Sequence, residues 1–204
     1  MKKVIGFMNF KGGTGKTTLA CLTALHLAEK KNSKVRVHDL DQGGDTAQFV
    51  NNLGHNRMAH FDIDEDQEAY DYIIVDTPGG ITAEEIDRIA DVCDVIVVPF
   101  ALSATDIRRT KQTIDALHAA DTEKVRVLFN KVKAQTTAFK DKGNVLAALG
   151  VSAFKNHIGD RVGYGYGLAS GGDALPSLCQ KELEQVIKEM IKWVKQRKNQ
   201  IWPP

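Results

Sequence analysis

Long apolar runs are missing from this chain. No stretch suffices to span a bilayer, and Met1-Lys2-Lys3 passes straight into Val4-Ile5 without the charged-then-apolar pattern of a secretory signal. Export and membrane insertion are therefore not expected, and the expected compartment is the cytoplasm. Cysteine is scarce. Cys21, Cys93 and Cys179 stand far apart with no C-x-x-C pair, as fits reduced thiols inside a cytoplasmic protein. An excess of either charge is missing too. Lys plus Arg number 27 against 26 Asp plus Glu, so the overall balance points to neither nucleic acid nor membrane. Any such surface has to be local. Repeats, linkers and low-complexity tracts are lacking, and 204 residues are enough for one domain, 1–204, with a full core.

What is present is Phe10-Lys11-Gly12-Gly13-Thr14-Gly15-Lys16-Thr17-Thr18. A phosphate-binding loop reads G-x-x-x-x-G-K-[ST]. Gly15-Lys16-Thr17 fits its end, while the opening glycine is replaced by Phe10, and Gly12 and Gly13 lie inside. Phosphates need many donors in a small space, which backbone N–H groups supply if the chain curls tightly. Gly12, Gly13 and Gly15 permit the curl. Lys16 is expected to reach the β- and γ-phosphates, and Thr17 to give its hydroxyl to Mg²⁺. The context is that of strand, loop and helix: Val4 to Met8 precedes the loop, and a helix with Leu22, Leu25 and Ala28 facing inward follows.

Further strand-like runs are Val35 to Leu40, Tyr72 to Val75, Val95 to Phe100, Val125 to Phe129 and Val151 to Phe154. Most are apolar without alternation, as parallel strands covered on both faces are. Helix-like stretches fall between them at Lys16 to Lys31, Thr82 to Asp91, Ala104 to Ala120 and Thr137 to Leu149, with a long last helix from about Pro176 to Lys198. The expected fold class is α/β: a doubly wound, mainly parallel sheet flanked by helices on both faces, the P-loop NTPase architecture, with ligand at the carboxyl ends of the strands.

Two acidic motifs belong to that edge. Asp39 and Asp41 end a strand, and alternation places them on one side of it. Tyr72-Ile73-Ile74-Val75-Asp76 is an apolar run ending in an acid, which is what a metal-side carboxylate needs; Asp76 is expected to bind Mg²⁺ through water. Gly79 follows, where an N–H can approach a γ-phosphate and move when it leaves. Asn130-Lys131-Val132-Lys133 begins like a guanine reader but carries Lys133 where a carboxylate is required, so adenine is favoured.

Lys11 to Thr18 resembles the deviant Walker A motif of the ParA/MinD family of P-loop ATPases, most closely the small plasmid-type ParA partition proteins without an N-terminal helix-turn-helix domain. No such domain is expected before this loop. The likeness covers almost the whole chain. It implies ATP and Mg²⁺ as cofactors and an ATP-bound sandwich homodimer in which Lys11 crosses to the partner's phosphates. It implies that Lys11, Lys16 and Asp41 are catalytic, Asp41 orienting or activating the attacking water. Lys11 to Thr18 (with Gly12, Gly13, Thr14, Gly15 and Thr18), Asn130 and Pro176 would bind nucleotide, the last two beside the base. Thr17 and Asp76, with Asp39 nearby, would serve the metal. Asn130 has the alternative of closing a turn, and Lys11 of being merely solvated. The chain departs from the family's Asp-Pro-Gln by reading Asp41-Gln42-Gly43-Gly44. The cysteine pattern argues against the family's iron–sulfur members. Ile158 to Ala169, with Arg161, also resembles the family; its glycines suggest a mobile surface segment, with Arg161 serving the dimer, DNA or solvent.

The function implied is DNA segregation. An ATP dimer would bind nonspecific duplex DNA on the nucleoid and leave it when a centromere-binding ParB-type adaptor stimulates hydrolysis. Lys181, Lys188, Lys192 and Lys195 share one helix face, with Arg197 and Lys198 nearby, and Arg108, Arg109 and Lys111 form a second basic cluster. A MinD-type membrane-cycling ATPase is the alternative, with Leu183, Val186, Ile187, Met190, Ile191 and Val194 as a detachable apolar face and Trp193 and Trp202 at an interface. That stripe is expected to pack on the core instead. Protein-cargo positioning is a third possibility, which the sequence does not separate from segregation.

Overall fold

Alternate residues of the apolar runs are buried in two different cores. Ile5 and Phe7 join Ile74, Val95, Val97 and Leu128 in one, while Val4 joins Ile73, Val75, Ile96, Val98 and Val127 in the other. Such strands have apolar cover on both faces, which accounts for their lack of alternation. The computed structural model describes residues 2–30, 32–41, 44–53, 58–60, 70–120 and 122–201. Six strands, β1 (Lys3–Phe7), β2 (Val35–Asp39), β3 (Met58–His60), β4 (Tyr72–Asp76), β5 (Val95–Phe100) and β6 (Val125–Phe129), form one parallel sheet in the order β3-β2-β4-β1-β5-β6. Because all are parallel, the ends of β1, β4 and β2 lie side by side on one edge, with Phe7 opposite Asp76 and Asp76 opposite Asp39.

One face carries α1 (Lys16–Lys30), α2 (Asp45–Leu53), α7 (Gly163–Ala169) and α8 (Ser177–Ile201). The other carries α3 (Ala83–Val92), α4 (Ala104–Ala120) and α6 (Lys142–Leu149), with the short α5 (Thr137–Lys140) before it. The sheet is thus doubly wound, as expected. Thr82 starts α3 with a capping box: its hydroxyl accepts from the Glu85 N–H at 3.2 Å, and Glu85 accepts from the Thr82 N–H at 2.7 Å.

Three expectations are corrected. Val151 to Phe154 does not form a strand of the sheet. It borders β6 through one bridge, Val127 to Ala153, with only two ladder bonds, from Val127 to the Ser152 carbonyl and from Phe154 to the Val127 carbonyl. The single helix expected over 137–149 breaks at Asp141, where ψ rises to 10°. The glycine-rich stretch after Arg161 is not a loose surface loop but α7. A Cβ on Gly163 would sit 2.8 Å from Pro176 Cγ, and one on Gly167 2.6 Å from Leu175 Cδ1. These glycines let the helix lie directly against the chain that enters α8. The helix α2 and strand β3 were not expected at all.

The apolar stripe of α8 is core. Leu183, Val186, Ile187, Met190 and Val194 are buried beneath the sheet, with Ile191 and Trp193 packed at the margin. No described helix is long and apolar enough to cross a membrane. Lys181, Lys188, Lys192 and Lys195 lie away from the buried stripe and are all exposed. Arg197 is different: its side chain is 14% exposed, lies 3.5 Å from Glu123 and covers the Trp193 ring. Gln42, Gly43 and Trp202 lie outside the described residues, as does the side chain of Lys198.

Candidate nucleotide-binding site

The loop after β1 is held from both sides. Asn9 is fully buried; its amide donates to the Pro99 carbonyl at 2.8 Å and to Thr110 Oγ1 at 3.1 Å, and its Oδ1 accepts from the Lys11 N–H at 2.9 Å. Thr113 Oγ1 accepts from the Phe10 N–H at 2.9 Å. On the far side the Asn130 amide donates to the Thr14 carbonyl at 2.6 Å, and Lys131 Nζ to the Gly13 carbonyl at 2.7 Å. Gly13 and Gly15 have φ of 74° and 91°, the left-handed region that glycine tolerates. At Gly15 a Cβ would also lie 2.5 Å from Asn130 Nδ2. With its carbonyls bound from outside, the loop is shaped before any anion arrives.

A cavity of about 700 Å³ opens over this loop. Gly12, Gly13, Gly15, Lys16, Thr17 and Thr18 form its floor, Asp41 and Gly79 one side, and Asn130, Lys131 and residues 159–162 and 164–166 the rest. Its size suits a mononucleotide, for small-ligand pockets span roughly 300–1,000 Å³. Lys16 is 8% exposed, and its ammonium is held below its ordinary pKa by burial, against the pull of Asp76 and Asp41. Lys11 does not line this cavity. Its ammonium is 3.9 Å from Asp106 and borders a separate shallow depression of about 460 Å³ with Gly79, Arg108 and Arg109. The two lysines of one loop thus serve two different surfaces.

Asp76 lies under the cavity. It is fully buried, and burial pushes its carboxyl up to about 6; neighbouring Asp39 acts in the same direction, and the Thr46 hydrogen bond, the nearby Thr17 hydroxyl and the charge of Lys16 oppose it. Thr46 Oγ1 donates to Asp76 Oδ2 at 2.7 Å, and Asp76 Oδ1 is buried with no hydrogen-bond partner. A buried orphan carboxylate oxygen beside the Thr17 hydroxyl is a hard-oxygen donor set that suits Mg²⁺. Among the described residues no group of three or more His, Cys, Asp and Glu could hold a metal ion, so such an ion would draw most of its ligands from water and phosphate. Asp39 holds the backbone at two points: Oδ1 accepts from the Asp41 N–H at 2.9 Å and Oδ2 from the Thr46 N–H at 3.1 Å. One carboxylate therefore clasps both ends of the segment from Asp41 to Thr46, and Asp41 is presented at the cavity mouth.

Thr14, Asp39, Asp76, Lys11 and Pro176 are outside the cavity lining, whereas the other expected site residues line it. Pro176 packs against Gly163 behind α7. Sequence reasoning missed Asn9, Thr46, Lys131 and Glu182. Glu182 accepts from Arg161 Nε at 3.1 Å and Nη2 at 2.7 Å, from Tyr164 Oη at 2.9 Å and from the Gly159 N–H at 3.3 Å. Burial opposes its ionisation, but these donors together hold its carboxyl below the ordinary value. Arg161 is thereby fastened to α8 as part of the cavity wall. A polar residue directly after an apolar strand (Asn9) and a threonine pair on a buried helix face (Thr110, Thr113) were the available signals.

Solved structures with this architecture span the chain from end to end. Apo McdA of Cyanthece superposes with a TM-score of 0.74 at 16% identity, covering 95% of this chain and 100% of that one. A putative plasmid partition protein of Borrelia burgdorferi B31, solved with AMPPNP, gives 0.68 at 14% identity over 97% and 100%. The MinC:MinD cell division protein complex of Aquifex aeolicus gives 0.66 at 18% identity over 99% and 98%. At these identities the likeness establishes the fold. No curated protein matches the chain by sequence. Residues 5–162 match the CobQ/CobB/MinD/ParA nucleotide binding domain, and with the phosphate loop, Asp41 and Asp76 all inside that span, the chain belongs to this family.

Proposed function

We propose that the chain is a Mg²⁺-dependent ATPase of the DNA-segregating kind, working as an ATP-bound homodimer. The observation that carries this reading is the divergence of Lys16, buried at the cavity floor, from Lys11, directed to a second basic surface. Backbone N–H groups of the loop cradle the phosphates, and Lys16 neutralises β- and γ-oxygens. Thr17 and Asp76 would hold Mg²⁺, with Asp39 behind them; a bound ion would supply neutralisation of phosphate charge there. Asp41 orients the attacking water, yielding ADP and phosphate at a weak basal rate. Gly79, at the cavity rim and 3.5 Å (from its would-be Cβ) to the Phe10 carbonyl, reports loss of the γ-phosphate. Asn130 donates one amide hydrogen to the Thr14 carbonyl, which leaves its Oδ1 and second amide hydrogen for adenine. Lys11 crosses to the phosphates of a second copy.

The stripe of Lys181, Lys188, Lys192 and Lys195 provides the DNA surface, and a centromere-binding adaptor of the ParB type accelerates hydrolysis and release. The test is binding to nonspecific duplex DNA with ATP-Mg²⁺ and with ADP over a salt series. Binding with ATP alone, falling steeply with salt, is expected. Equal affinity in both nucleotide states, or none in either, overturns the segregation reading and sends the search to protein cargo or anionic vesicles.

A further inference from the structure

Thr46 occupies a place that the roles above leave unassigned. It is the second residue of α2, fully buried, and its two donors reach two carboxylates on neighbouring strands. The hydroxyl goes to Asp76 Oδ2 at 2.7 Å and the N–H to Asp39 Oδ2 at 3.1 Å. Asp39 and Asp76 are register partners, so without a donor between them two acids would face each other at the sheet edge. The Cys21 thiol lies 3.7 Å from Thr46 Oγ1 and donates to it. With a donor arriving from one side, the hydroxyl proton is directed to Asp76. Burial pushes the Cys21 thiol up to about 12, so it remains a protonated donor.

We infer that Thr46 is a positioning residue that selects which oxygen of Asp76 is left for the metal side of the site and ties that choice to the segment bearing Asp41. Its hydroxyl occupies Oδ2 and leaves Oδ1 as the buried oxygen without a partner. Its N–H closes, on Asp39, the segment whose other end is held by the Asp41 N–H. Asp41 and α2 are therefore linked to Asp76 through Asp39 and Thr46. This rests on the ATP–Mg²⁺ reading of the site.

Thr46→Val separates the hydroxyl from the N–H, because valine keeps the shape and the bond to Asp39. Thr46→Ser restores the hydroxyl. The experiment titrates a fluorescent ATP analogue with Mg²⁺ and with EDTA, follows turnover as kcat and KM, and records thermal unfolding of each variant. In Thr46→Val the EDTA affinity is expected within about twofold of wild type, and the gain in affinity on adding Mg²⁺ to shrink about tenfold, as for loss of one hydrogen bond to a charged group. kcat should fall by a similar factor, KM should follow the Mg²⁺ affinity, and Thr46→Ser should recover most of both. Equal loss with Mg²⁺ and EDTA, or a Thr46→Ser variant as impaired as Thr46→Val, overturns the assignment. So does a Thr46→Val variant identical to wild type. If Thr46→Val does not fold, Cys21→Ala, which only frees the hydroxyl to turn, is the second variant; a Mg²⁺ response unchanged from wild type then overturns it. Failure of the wild type itself to bind the analogue would instead strike the ATP reading.

Discussion

The phosphate loop and the wall formed by residues 159–169 are both rich in glycine, and glycine does opposite work in them. In the loop, Gly13 and Gly15 take positive φ so that the backbone can turn its N–H groups inward. In the wall, Gly163 and Gly167 have ordinary helical backbone and are small so that α7 can touch Pro176 and Leu175. The first region is shaped for a ligand and pinned by side chains from outside it. The second is a packing device whose polar residues converge on Glu182. Glycine content alone thus does not distinguish a binding turn from a tight helix contact; the neighbouring elements do.

If that contrast holds, loop variants lose ligand without losing the fold, and wall variants lose the fold first. Lys16→Ala should weaken ATP binding by on the order of 100-fold with thermal unfolding of the ligand-free protein unchanged, because a buried ammonium facing phosphate has no substitute; isothermal titration checks this. Asp41→Ala should bind ATP and form the dimer while kcat drops on the order of 10²- to 10³-fold, measured by phosphate release. Lys11→Ala should keep nucleotide but weaken the ATP dimer on the order of 10- to 100-fold, seen by sedimentation. On the other side of the comparison, Glu182→Ala removes the acceptor shared by Arg161, Tyr164 and Gly159 and should cost about 1–3 kcal/mol in urea unfolding, with ATP affinity following only weakly.

A stability effect of similar size to that of Glu182→Ala concerns Asp76. Its carboxyl is raised from 3.8 to about 6 in the folded protein, chiefly by burial. Between those values the folded state binds the extra proton, so the stability of the metal-free protein falls as pH rises through that window. Asp76→Asn removes the charge that burial disfavours. It should raise metal-free stability at pH 7 by on the order of 2 kcal/mol and flatten the dependence between about pH 4 and 6, read from melts across pH. A variant less stable than wild type at pH 7 would show that the carboxylate is better solvated than its burial implies.

Much of the site edge was legible. The strands ending at Phe7 and Asp76 are apolar on both faces and the strand ending at Asp39 is apolar on one, and parallel pairing brings their ends together. Lys16, Thr17, Asp41 and Gly79 follow from motif spacing and come to one cavity. Asn9 and Thr46 were not legible, because each is one polar residue whose partners are about 90 and 30 positions away. α7 was misread because its glycines look like turn residues until Pro176 and Leu175 are seen against them. The Val151 to Phe154 run has strand composition but lacks a ladder beyond one bridge.

By itself the sequence determined the layered α/β architecture and the chemistry at the strand ends, because both arise from short-range pattern: apolar periodicity, and a glycine loop between strand and helix. The tertiary structure alone decided where the two lysines of that loop point, which oxygen of Asp76 is left without a partner, and that the stripe of α8 is core. Those depend on contacts between residues far apart in the chain, where burial and the geometry of a single hydrogen bond choose among side-chain directions that local pattern leaves equal.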